Sequence, residues 1–153
     1  MRIGIGFDAH RFIRNRKLIL GGVVIPYELG LDGHSDADVL VHAIMDAIVG
    51  ALCIGDKGKL FPDTDMNLKD ISSLVLLERI MQIRSFKIIN VDSVLICQEP
   101  KMQIYIEEMR SNIAAILKTN VENISVKATT TEYMGFTGRK EGISAIASVL
   151  LEI

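Results

Sequence analysis

The chain has 153 residues, with 17 Lys and Arg against 19 Asp and Glu and a net charge of −2. That balance gives no electrostatic reason to expect nucleic acid as a partner, and 49% apolar with 24% charged residues excludes a disordered chain. The length predicts one domain over residues 1–153, and the absence of Trp predicts an aliphatic core.

Residues 2–10 alternate, with Ile3, Ile5 and Phe7 on one face and Gly4, Gly6, Asp8 and His10 on the other. The pattern predicts a half-buried strand whose second face is either solvated or lines a site. It begins without a basic leader and apolar signal core, so a cytoplasmic protein is expected, or a plastid one if a transit peptide has been removed. Leu18–Leu20 and Val23–Ile25 flank Gly21-Gly22 as a short hairpin. Residues 36–53 predict the clearest helix, with Ser35 and Asp38 spaced as a capping box. The most apolar stretch, Val39 to Ile54, is too short to span a bilayer.

Gly55 to Asp65 reads as a loop. A helix is expected over about Ser72–Arg84, a strand over Lys87–Gln98 and a third helix over Met102–Lys118. Ser125–Thr129 and Ile143–Ile153 read as the last strands, around the loop Thr130–Gly142. Interleaved strands and helices predict an α+β domain: a mixed sheet with about three helices on one side. Cys53 and Cys97 lie in apolar runs and are expected to be reduced, buried thiols.

The candidate chemistry begins at Asp8-x-His10. Residues i and i+2 of a strand share a face, so this pair can converge on one ion, with His42 as a third ligand from the helix. Three protein ligands leave a coordination position open, as catalytic zinc sites do. The alternatives are an exposed strand face and a solvated helix edge. A facial-triad Fe(II) site also has two His and one carboxylate, but its usual double-sheet barrel conflicts with three helices, so zinc is favoured. Asp38 and Asp46 stand four residues either side of His42 and are suited to orienting its ring.

His34, in Gly33-His34-Ser35 before the helix, meets the positive end of the helix dipole or is an ordinary turn residue. The loop carrying Asp56-Lys57-Gly58-Lys59 and Phe61-Pro62-Asp63-Thr64-Asp65 would suit a polyol, or is simply a solvated turn. Thr129-Thr130-Thr131-Glu132 is either a capping box or a phosphate site with Glu132 on a second, harder cation.

Taken in order, several runs resemble the 2-C-methyl-D-erythritol 2,4-cyclodiphosphate synthase family along the whole chain. They are Gly6-Phe7-Asp8-Ala9-His10, Gly33-His34-Ser35-Asp36-Ala37-Asp38-Val39 and Gly55-Asp56 with Leu60 to Asp65. Pro100-Lys101-Met102, Lys127 to Glu132 and Gly135-Phe136-Thr137-Gly138-Arg139 complete the set. The resemblance implies a homotrimeric, non-mevalonate isoprenoid enzyme with active sites between subunits. The reaction implied is closure of 4-diphosphocytidyl-2-C-methyl-D-erythritol 2-phosphate to the cyclic diphosphate, with release of CMP.

By the same resemblance, Asp8, His10 and His42 match the Zn2+ ligands, one ion per subunit, and Glu132 matches the ligand to Mg2+ or Mn2+ on the substrate diphosphate. His34 and Thr130 match transition-state stabilisers. Asp56, Lys57, Gly58, Phe61, Pro62, Asp63, Thr64 and Asp65 match segments around the methylerythritol part, and Ser35 is a further substrate-binding candidate. Pro100, Lys101, Met102 and Gln103, with Thr129 and Thr131, match a cytidine and phosphate pocket from the neighbouring subunit. Phe136 and Arg139 match contacts toward an axial cavity that holds isoprenoid diphosphates in the family. Departures fall at Tyr133-Met134, Lys140, Cys97 and Glu99, none of them a metal ligand. Competing readings are a zinc phosphodiesterase and a non-catalytic trimeric module for isoprenoid phosphates.

Overall fold

In the computed structural model, which describes Met1–Ile153, the apolar run Val39–Leu52 forms helix α1, and 12 of its 14 residues are buried. Burying one Leu or Ile side chain stabilises by about 1.5–3 kcal/mol, so Leu40, Ile44, Ile48 and Leu52, all in the core, make α1 the centre of the fold. The chain order around it is β1 (Arg2–Ile13), β2 (Leu18–Leu20), β3 (Val23–Ile25), β4 (Gly30–Leu31), α1, α2 (Lys57–Leu60) and α3 (Ser73–Met81). There follow β5 (Lys87–Ile96), α4 (Ile106–Leu117), β6 (Ile124–Thr129), α5 (Gly135–Gly138) and β7 (Gly142–Glu152).

The fold is α+β. Five strands form a mixed sheet in the order β4-β1-β7-β5-β6, and β2-β3 form the expected separate hairpin. Only β5 and β6 are parallel, because α4 carries the chain back between them. The three longer helices pack on one side: α1 on β1 and β7, α4 on β6, and α3 against α1 and α4. No helix is long and apolar enough to cross a membrane.

The alternation in β1 is real, but its faces are used in an unusual sense. Gly4 and Gly6 face the core, while Ile3, Ile5 and Phe7 are 77%, 74% and 59% exposed. The reason is helix approach: a Cβ at Gly4 would stand 1.9 Å from the Ala47 carbonyl oxygen, and one at Gly6 2.0 Å from that of Ala43. Glycine lets α1 lie directly on β1, which carries Asp8 and His10 up to the helix. The apolar side chains are left on the outer face, where Ile3 pairs across with Leu150 and Phe7 with Ile146.

Other boundaries differ for local reasons. Helix α1 starts at Val39, because Ala37 has φ 57° and the Asp38 side chain caps the Val41 N–H. The expected Ser35–Asp38 capping box is absent; Ser35 Oγ instead accepts the Ala37 N–H. Strand β1 runs on to Ile13, where it pairs with the unforeseen β4. One-turn helices, α2 and α5, interrupt the two loops read from Gly55 and Thr130. Both cysteines are free, but only Cys97 is buried. Cys53 is exposed because it sits past the end of α1 at φ 56°, which turns it out of the apolar run.

Candidate metal centre and cavity

Three side chains converge where β1 meets α1. Asp8 Oδ2 lies 2.9 Å from both His10 Nε2 and His42 Nδ1, and the two ring nitrogens are 3.1 Å apart. Ligand atoms about 2.0–2.1 Å from a tetrahedral zinc stand roughly 3.3–3.4 Å apart. A small outward relaxation therefore seats an ion, and the donor set suits zinc. These three form the only group of His, Cys, Asp and Glu side chains arranged to hold a metal.

Each imidazole is fixed by what its other nitrogen touches. His10 Nδ1 lies 2.6 Å from the Asp32 carbonyl oxygen; a carbonyl only accepts, so Nδ1 carries the proton and Nε2 keeps its lone pair. His42 Nε2 faces Ser73 Oγ at 2.9 Å and Ser35 Oγ at 3.1 Å. Ser73 Oγ donates in turn to Asp36 Oδ1, whose other oxygen accepts the Ser73 N–H at 3.0 Å. Ser73 thus accepts from His42 Nε2–H, which frees Nδ1 toward Asp8. Partners of this kind set the tautomer and orientation of metal-binding imidazoles.

This corrects the part expected of Asp38 and Asp46. Asp38 is fully buried and does not touch the imidazole; its carboxylate accepts the N–H groups of Gly21, Gly22 and Val41 at 3.0, 2.8 and 3.1 Å. It ties the β2-β3 turn to the start of α1. Asp46 accepts the Lys57 backbone N–H at 2.9 Å and lies 3.3 Å from its Nζ. The same Nζ is 2.9 Å from Asp8 Oδ1.

Burial opposes charge on Asp8, but its close contacts with the His10 and His42 imidazoles and the Lys57 ammonium outweigh it and hold the carboxyl well below the usual carboxylate range. Burial lowers the His42 pKa, against the pull of Asp8, which favours the neutral imidazole that a metal needs. Burial, with Asp36 nearby, raises Asp38 to about 7 against its three N–H donors.

The centre opens into a cavity of about 500 Å³. Of the residues singled out in the sequence, His10, His34, Ser35, His42, Lys57, Gly58, Phe61, Pro62 and Asp63 line it. His34 Nε2 donates to the Asp65 carbonyl at 2.8 Å, binding the loop over the cavity. Asp56 and Asp65 have local duties: Asp56 caps α2 through the Lys59 N–H, and Asp65 Oδ1 accepts from Asn67. Thr64 is exposed.

The remaining candidates are not brought to this cavity. Thr129 pairs with Ile96, which pairs with Ser144, which pairs with Ala9. They therefore stand at the same end of the sheet as the metal centre, three strand spacings or roughly 14 Å away. Thr129, Thr130 and Glu132 are exposed there, and Thr130 Oγ1 lies 3.3 Å from Glu132 Oε1. Thr131 Oγ1 holds the local turn, 2.5 Å from the Met134 carbonyl and 3.0 Å from Thr137 Oγ1. Lys101 and Gln103 are exposed and Pro100 half-buried, but the Met102 side chain is in the core. Arg139 pairs with Glu141 at 2.7 Å, while Phe136 is 40% exposed. Glu99 and Lys140, two departures from the family pattern, form an ion pair at 2.8 Å.

The sequence reading missed Asp36, Ser73 and the Asp32 carbonyl. Asp36 sits in a run of polar residues before α1, but nothing near Ser73 in the chain points to His42, 31 positions away.

Residues 1–152 match the model of the YgbB family. A Finegoldia magna protein named 2-C-methyl-D-erythritol 2,4-cyclodiphosphate synthase is 62% identical over 99% of this chain and 97% of its own length. The bifunctional IspDF structure from Campylobacter jejuni superposes with TM-score 0.93 at 46% identity. There this chain is 99% covered but spans only 42% of the larger protein. A 2C-methyl-D-erythritol-2,4-cyclodiphosphate synthase structure in its CDP-bound form gives 0.90 at 32% identity, over 99% of this chain and all of that one.

Proposed function

The chain belongs to the YgbB family, and from that premise we propose that it is a phosphorus–oxygen lyase. It closes 4-diphosphocytidyl-2-C-methyl-D-erythritol 2-phosphate to 2-C-methyl-D-erythritol 2,4-cyclodiphosphate and releases CMP. The observation that carries this reading is the three-donor set of Asp8, His10 and His42, oriented by its own partners and opening onto a cavity.

The substrate's 2-phosphate, with a second pKa of about 6, is already largely dianionic, so no side chain has to activate a nucleophile. That agrees with how the two serines beside His42 are used: Ser73 links the ring to Asp36, and Ser35 accepts the Ala37 N–H. What remains is to bring two anions together, a matter of positioning and charge neutralisation. A zinc ion on the triad, with Mg2+ or Mn2+ on the diphosphate beside Glu132, would supply the neutralising charge. Asp56 to Gly58 and the loop from Phe61 to Asp65 grip the polyol, His34 and Thr130 stabilise the transition state, and Thr129 to Glu132 with Pro100 to Gln103 receive the nucleotide end.

The two sets of residues belong to one site only if neighbouring copies contribute to it. The bare outer face of Ile3, Ile5 and Phe7 with Ile146 is the surface on which three copies pack, since contiguous exposed apolar surface of this kind marks an interface. Phe136 and Arg139 then lie toward the trimer axis, where an isoprenoid diphosphate would bind. Phosphorus NMR of the reaction tests the chemistry: CMP with a cyclic diphosphate is expected, and an opened hydrolysis product would favour a zinc phosphodiesterase. No turnover at all would favour the binding module.

A further inference from the structure

We infer that Lys57 is a positioning residue that restricts Asp8 to ligation through one oxygen, with Asp46 as its anchor. The inference rests on the metal site proposed above. The two oxygens of Asp8 have different occupations: Oδ2 faces His10 Nε2 and His42 Nδ1 at 2.9 Å each, while Oδ1 accepts from Lys57 Nζ at 2.9 Å.

Lys57 is held at both ends by one carboxylate. Asp46 Oδ1 accepts its backbone N–H at 2.9 Å, and Asp46 Oδ2 lies 3.3 Å from its Nζ. Asp46 stands four residues beyond His42 on α1, so ligand and anchor share one rigid element. Lys57 is also the first residue of α2, whose start is fixed by the Asp56 cap. The backbone is thus fixed beside the triad, and an ammonium that left Asp8 would also give up Asp46 Oδ2. Its charge lies between two carboxylates, so a cation at the triad faces little net repulsion from it.

The consequence concerns coordination number. A carboxylate with both oxygens free can chelate an ion and use up a position that a tetrahedral site would otherwise offer to a ligand. With Oδ1 held by Lys57, Asp8 presents Oδ2 alone, and three protein donors leave one place open.

Cobalt(II) substitution reads this directly, because the visible bands of cobalt are intense at four-coordinate sites and weak at higher coordination. One cobalt per chain with intense bands is expected for the unmodified protein. Lys57→Met, which keeps most of the stem and removes the ammonium, should bind one cobalt with bands weakened several-fold. Lys57→Arg should restore them. Should Lys57→Met fail to fold by circular dichroism, Asp46→Asn is read instead and must weaken the bands in the same direction. Bands unchanged in the readable variant would overturn the inference while leaving the metal site intact. An unmodified protein that binds no cobalt would overturn the site itself, and the inference with it.

Discussion

The two ends of the candidate site are built to different standards. At the β1–α1 junction, both imidazoles and the carboxylate have their non-facing atoms committed to partners, and His42 is buried. At the end of β6, Thr129, Thr130 and Glu132 stand exposed, with little beyond one another to hold them. The first region is organised for an ion within a single chain. The second has no such partners within this chain, as the shared site proposed above requires.

The sharpest way to break that contrast is His42→Ala. It removes one of three donors and should abolish metal retention and CMP release, with the assembly intact by sedimentation. Full turnover with no bound metal would sink the assignment. Next in size, Ile5→Asp places a charge on the outer face and should leave monomers without activity; an active monomer would contradict a site made by two chains. Ser73→Ala takes away the acceptor that fixes the His42 tautomer, and about 10–100-fold weaker metal binding is expected, as for other such partners. Metal titration checks it, and unchanged affinity would count against the Asp36–Ser73–His42 chain. Glu132→Gln should lower turnover roughly tenfold, the weight of one charge-assisted contact of about 1.5 kcal/mol. It should also shift the magnesium dependence while zinc content stays the same; zinc loss would mean the two regions are not separate.

The convergence of Asp8, His10 and His42 was legible in the sequence because strand geometry places Asp8 and His10 on one face, and few other histidines compete. The β2-β3 hairpin was legible from Gly21-Gly22 between two apolar triplets. What was not legible depends on tertiary contact. Alternation in β1 cannot say which face is buried, and the glycine face won because α1 needs its backbone close to the strand. Asp38 has the spacing to reach His42, yet the N–H groups of Gly21 and Gly22, distant in the chain, claim its carboxylate. Ser73 reaches His42 only because α3 packs on α1, which no local pattern encodes.

Mixing two damaged subunits measures the central claim, a site assembled from two chains, most directly. His42→Ala and Glu132→Ala proteins, each inactive or nearly so, are unfolded together and refolded at equal amounts. Under random assembly each half of a site is intact with a chance of about one half, so about a quarter of the unmodified activity should return over all trimers. Mixed trimers confirmed by mass but showing no activity beyond the two parents would contradict a shared site.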